Sequence, residues 1–151
     1  MIAKPVIHQK PKNSALINNI SIKEVKGGEE TNPLWIPKVN NQNFKEAIAR
    51  SLQQATLYQA APKAKYNLYV NLESLEQPAL GFSFTVACKV HYKLLDAKTK
   101  LAIFDQHITS TYTAKVSDAL YAPLRMKIAN EGAAKANIEQ FTLALYQLPI
   151  K

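Results

Sequence analysis

From Phe82 to Leu94 the chain alternates without a break. Phe82, Phe84, Val86, Cys88, Val90, Tyr92 and Leu94 are apolar or aromatic, and Ser83, Thr85, Lys89, His91 and Lys93 stand between them. Side chains point to opposite faces along a strand, so this pattern predicts a strand with one apolar and one wetted face. A helical reading fails, because Phe82, Val86, Val90 and Leu94 would share a face and leave Phe84, Cys88 and Tyr92 in water. The sheet that holds this strand is therefore covered on one side. At about 3.3 Å per residue the run spans about 43 Å, longer than most strands. Its Phe82–Phe84 end is expected to outrun the helices and expose apolar surface.

The same periodicities predict the other elements. Residues 15–25 read as a first strand, with Leu16, Ile20 and Ile22 on one side. Asn43 is expected to cap a first helix, with Glu46 completing a capping-box-like pair. Phe44, Ala47, Ile48, Ser51, Leu52 and Ala55 form its stripe, and Pro62 prevents its extension. Tyr66, Leu68, Val70 and Leu72 mark a second strand. A fourth strand runs from about Leu101 to Thr113. The last helix begins near Ser117 or after Ala122, with Leu124 and Ile128 leading a stripe through Ala134, Ile138, Phe141, Leu145 and Leu148. Gly132, Ala133, Ala134 and Ala136 let that helix lie close to the sheet.

With Ala97-Lys98-Thr99 as the hairpin loop, Tyr92 faces Phe104, Cys88 faces Ile108 and Phe84 faces Tyr112. On the other face His91 meets Asp105, Lys89 meets His107 and Thr85 meets Thr111. A one-residue slip would destroy this agreement, whereas a two-residue slip preserves it. The order strand, helix, strand, strand, strand, helix predicts an α+β, two-layer sandwich: a mainly antiparallel four-stranded sheet with two helices on one face. Residues 15–151 form this single domain, and residues 1–14, rich in Lys and Pro, read as a flexible tether.

Composition narrows the function by exclusion. The 151 residues carry a net charge of +8, and only Arg50 and Arg125 are arginine. Lysine is a poor bidentate phosphate ligand, and the charge is spread along the chain, which suits a solvated surface or an anionic membrane better than a nucleic-acid groove. The single cysteine, Cys88, reads as a small buried hydrophobe. No stretch is apolar enough to span a bilayer. The first residues lack a signal core, which fits either a cytoplasmic chain or a mature form whose export signal has been removed.

Candidate chemistry is sparse. His91, Asp105, His107 and Lys89 share the wetted face, where a cross-strand polar pair explains them without catalysis. No nucleophile elbow, phosphate loop or metal motif is present, so the sequence assigns no catalytic residue, no metal and no cofactor. Trp35 is either a lid on the core edge or a partner contact. Ser117, Asp118, Arg125, Asn130 and Glu131 are either a polar partner-binding edge or a capped corner.

The stretch 112–119, Arg125 and residues 129–138, together with Leu80–Val86 and Val90–Leu94, resembles small lipoproteins of Gram-negative envelopes of uncharacterised function. The element order also resembles that of the lipopolysaccharide-assembly lipoprotein that plugs an outer-membrane β-barrel. The resemblance implies export, an N-terminal lipid anchor on a cysteine that this chain does not carry near its start, and a place on the periplasmic face of the outer membrane. It implies a non-enzymatic domain that binds an envelope protein or lipid-like ligand in the assembly or maintenance of that membrane. The partner-binding residues expected on this view are Trp35, Phe82, Phe84, Tyr112, Ser117, Asp118 and Arg125. The alternative is a cytoplasmic basic domain that binds double-stranded RNA, whose helix–strand–strand–strand–helix order matches residues 41–148. Against it, the last helix opens without lysines and the loop 77–81 has no histidine.

Overall fold

The computed structural model describes residues 14–29 and 39–150. Trp35 and nearly all of the expected tether lie outside them. After a short 3-10 turn at Ser14–Leu16, the elements are β1 (Ile20–Lys26), α1 (Asn41–Gln54), β2 (Tyr66–Glu76), β3 (Phe84–Asp96), β4 (Ala102–Ala114) and α2 (Ala122–Gln147). The four strands form one sheet in the order β1-β2-β3-β4. β1 runs parallel to β2, and the other neighbours are antiparallel. α1 packs against β1, α2 packs against β3 and β4, and the helices touch each other. This is the expected α+β sandwich.

Alternation sets the core. Phe84, Val86, Cys88, Val90, Tyr92 and Leu94 are all buried on the helix side of β3, as are Tyr66, Leu68, Val70 and Leu72 on β2. From α1 come Phe44, Ala47, Ile48, Ser51 and Leu52. Tyr92 lies flat on Phe141 of α2, with centroids 4.0 Å apart, and Phe104 meets Phe141 edge-on. Burial pushes the Cys88 thiol up to about 12, in keeping with a core hydrophobe.

Several boundaries differ from expectation. Residues 15–19 precede the first strand rather than belonging to it, although Leu16 is buried. Asn40, not Asn43, caps α1: its Oδ1 accepts the Asn43 amide at 2.8 Å. Asn41 Oδ1 meanwhile takes the Gly28 amide, so consecutive asparagines divide the capping and loop-anchoring bonds. β2 runs on to Glu76 past a register shift between Leu72 and Ser74. β3 begins at Phe84, leaving Phe82 and Ser83 in the loop.

The hairpin register is displaced by two residues from the expected pairing. Val86 faces Tyr112, Cys88 faces Ser110, Val90 faces Ile108, and His91 faces His107. The turn is longer than three residues because Asp96 organises it. Asp96 Oδ1 accepts the Lys98 and Thr99 amides, the Asp96 amide bonds Leu101 O, and Lys100 adopts φ 63°. Nothing in the sequence marks Lys100 for the left-handed region, which usually selects Gly or Asn. A two-residue displacement keeps every side chain on its expected face, so the core is unchanged.

α2 starts at Ala122, with Pro123 in its first turn. Its N-terminal stripe is not the expected one: Leu124 is exposed, and Arg125, Met126, Ala129 and Asn130 turn inward. Further along, Ala133, Ala134, Asn137, Ile138, Phe141 and Leu145 are buried. Gly132 faces Tyr112, and a Cβ there would lie 2.4 Å from two ring atoms. Close approach of helix and sheet therefore accounts for the glycine. Gly132→Ala is expected to destabilise the protein by about 1 kcal/mol through displacement of the ring. In a Tyr112→Ala background it should instead stabilise by about 0.5–1 kcal/mol, the helix-propensity gain of Ala over Gly. Urea denaturation of the four proteins of this cycle checks the change of sign.

Candidate functional site

β3 enters the sheet at Phe84 directly opposite the last residue of β4, Ala114. The loop 77–83 and the loop 115–121 therefore emerge side by side at one end of the sandwich. Both carry large apolar side chains that point into water. Leu80 is 90 % exposed, Phe82 85 %, Leu120 86 % and Tyr121 70 %, with Leu124 about half-exposed in the first turn of α2. Gly81, between Leu80 and Phe82, lies at φ +140°, where L side chains are rarely found.

The scaffold beneath this tip is built around Arg125, which is buried. Its guanidinium carbon sits 4.6 Å from the centre of the Phe84 ring. Nη1 donates to Ala119 O at 2.8 Å and to Leu120 O at 3.3 Å. Nε is buried without a hydrogen-bond partner among the described residues. One cation thus fastens the 115–121 loop to the start of β3, by a cation–π contact on one side and two carbonyls on the other. Asp118 Oδ2 accepts the Lys115 amide at 2.7 Å, and Lys115 O takes the Asp118 amide at 2.9 Å, closing a tight turn before Leu120. Gln77 Nε2 donates to Asn130 Oδ1 and ties the other loop to α2.

The expected site residues divide accordingly. Phe82 is exposed at the tip. Phe84 is not: it lies under Arg125 and belongs to the support. Tyr112 is 42 % exposed and packs on Gly132 along the flank of α2. Ser117 and Asp118 are exposed in the turn before α2 rather than in the helix, and Arg125 acts from within. Asp118 and Arg125 hold this corner separately: Asp118 accepts the Lys115 amide before it, and Arg125 donates to the Ala119 and Leu120 carbonyls after it. The expected site did not include Leu80, Leu120 or Tyr121, and Leu124 was expected in the buried stripe of α2. Their signal is legible in retrospect: apolar residues beside Gly81 and Pro123, in segments with neither strand nor helix period.

The wetted face of the sheet is separate. His91 Nε2 and Asp105 Oδ1 lie 2.5 Å apart, on a diagonal and not directly across the strands. Hydrogen bonding from His91 is the first cause holding the Asp105 carboxyl below the ordinary aspartate range. His107 Nδ1 lies 2.9 Å from Glu73 Oε2, and this bond likewise lowers the Glu73 carboxyl. Lys89 and Lys93 stand beside these two carboxylates, so the face carries both signs of charge.

No protein-family model matches the sequence, and no curated protein matches it either. Solved structures do share the fold. A putative lipoprotein from Caulobacter crescentus is 18 % identical, with a TM-score of 0.60, over 87 % of this chain and 91 % of that one. PelC from Paraburkholderia phytofirmans, solved as a dodecamer, is 14 % identical with a TM-score of 0.52, over 88 % and 89 % of the two chains. An uncharacterised lipoprotein B from Nitrosomonas europaea is 17 % identical with a TM-score of 0.50, over 87 % and 86 %. At these identities the likeness is one of fold, and it agrees with the resemblance to small bacterial lipoproteins noted from the sequence.

Proposed function

We propose that this chain is a non-enzymatic domain of the bacterial cell envelope that binds an envelope protein through its apolar tip. The observation that carries the reading is the group Leu80, Phe82, Leu120 and Tyr121, exposed on two loops, of which a buried arginine pins the backbone of 115–121 and a Gln77–Asn130 bond ties down 77–83. Four large apolar side chains held in water cost solvation free energy, and their placement on two loops that leave the same end of paired strands marks an interaction surface. Aromatic and aliphatic anchors, with Lys115, Ser117 and Asp118 exposed in the same loop as Leu120, match the apolar and polar parts of a protein interface. The envelope setting rests on the fold shared with the two bacterial lipoproteins. Attachment to the periplasmic face of the outer membrane by an N-terminal lipid is part of the same proposal.

Photocrosslinking tests it. A benzoylphenylalanine residue in place of Phe82 or Leu120 should give one discrete protein adduct in intact envelopes, and one in place of Thr109 on the wetted face should not. Phe82→Ser with Leu120→Ser should weaken capture of that protein by about tenfold or more, as expected for interface anchors. Equal adducts from both faces would overturn the reading. Sedimentation of the purified domain with phospholipid vesicles, lost in the same double variant, would replace the protein partner with a lipid surface.

A further inference from the structure

The two-residue displacement of the hairpin brings together side chains that the expected register kept apart. His91 and His107 now face each other across β3 and β4, with rings stacked at 4.3 Å between centroids and only 10° between planes. On the other side of β3, the register shift between Leu72 and Ser74 leaves Glu73 out of the regular pairing. A bulge re-aims the side chain at its position, and here the Glu73 carboxylate reaches His107 across the intervening strand. One ligand atom from each of Glu73, His91 and His107 lies within 4.8 Å of the other two.

We propose that Glu73, His91 and His107 form a binding site for a divalent transition-metal ion, with zinc as the representative case. Two imidazoles and a carboxylate are a donor set for zinc, nickel or copper, whereas calcium and magnesium require a shell of oxygens. Bonds of about 2.0–2.1 Å to a tetrahedral ion place its ligands about 3.4 Å apart; Glu73 Oε2 and His107 Nδ1 are already 2.9 Å apart, and no pair has to close by more than about 1.4 Å. Their mobility allows it: the side chains of Glu73, His91 and His107 are 25 %, 27 % and 52 % exposed and stand on paired strands that hold their origins fixed. The fourth position stays open to solvent, as in sites with three protein ligands. Asp105, bonded to His91, is a positioning residue that orients that imidazole, the usual part played by a carboxylate behind a ligating histidine. Lys89, 3.6 Å from Glu73, and Lys93, 3.7 Å from Asp105, offset the two carboxylates. They disfavour ions held by charge alone and leave the preference to the imidazoles. The site lies on the sheet face opposite the helices and does not depend on the partner surface proposed for the tip.

Calorimetric titration of the full chain with zinc chloride in a non-chelating buffer tests this. Wild type should show one saturable site per chain. His91→Ala combined with His107→Ala should abolish it, and His8→Ala should leave it intact. Asp105→Asn should weaken binding by about tenfold, the effect expected of a positioning carboxylate. Zinc should also shift the His91 and His107 imidazole resonances together in wild type. His91, Asp105 and His107 lie on a solvated face, so circular dichroism of their variants should match wild type. Absence of saturable uptake by wild type, or undiminished uptake by the double histidine variant, overturns the proposal.

Discussion

Replacing Asn137 with alanine is expected to lower the unfolding free energy by about 3 kcal/mol or more. Asn137 is fully buried at the centre of α2. Its Nδ2 donates to Cys88 O at 3.0 Å and to Ile108 O at 2.8 Å, so one amide bridges two strands. Its Oδ1 accepts the Tyr92 hydroxyl at 2.8 Å. Alanine would leave that hydroxyl buried without an acceptor, remove a donor from both carbonyls and open a small void. Each unsatisfied buried group costs about 1–3 kcal/mol, and the void adds to this. Tyr92 stays protonated throughout any working range, because burial raises its phenol well above the ordinary value. Tyr92→Phe removes only one bond and should cost less, about 1 kcal/mol. The double variant should be less destabilised than the sum of the two, since both act on one hydrogen bond. Urea denaturation measures all three. An Asn137→Ala protein within about 0.5 kcal/mol of wild type, the range of surface substitutions, would contradict the account.

Arg125→Ala is expected to cost about 2–4 kcal/mol, through lost packing over Phe84, a lost cation–π contact and two carbonyls without their donor. Its local consequence matters more. Without the guanidinium, the 115–121 loop loses its attachment to β3, and the amides of Asp118 and Ala119, which bond Lys115 O, should exchange hydrogen faster. Arg125→Met separates the causes. It keeps volume over the ring, so it should recover much of the stability while leaving the loop loose. Arg125→Lys should fail to restore the loop, because a single ammonium cannot reproduce the planar fork. Unchanged exchange at Asp118 and Ala119 in Arg125→Met would show that the loop holds itself. Capture of the tip's partner should weaken in Arg125→Met, although Arg125 itself does not reach the surface.

Both residues show where sequence patterning loses its power. Asn137 and Arg125 are polar residues on a helix whose apolar stripe is incomplete. Read by period alone, Leu124 and Ile128 lead the buried face, and the polar residues belong to water. The inward turn of Arg125 follows from what waits for it: the face of Phe84 and two loop carbonyls, none of them adjacent in sequence. The candidate tip was legible in part. Phe82 stands at the end of an alternating run, and Arg125 is among the residues that carry the resemblance to small envelope lipoproteins. Leu120 and Tyr121 gave no periodic signal, since exposure of an apolar loop residue is set by whether other elements cover it.

What the sequence determined by itself was the order of the elements, the single apolar face of the sheet and the membership of most of the core. Those follow from side-chain alternation and helical period, which depend on near neighbours along the chain. The tertiary structure alone decided the hairpin register, the bulge that presents Glu73 and the place of each polar side chain inside α2. A two-residue slip preserves every facing, so the hydrophobic pattern could not choose between registers. The choice rests on Asp96 closing a longer turn with Lys100 in the left-handed region. That turn sets His91 against His107, and with them the chemistry of the wetted face.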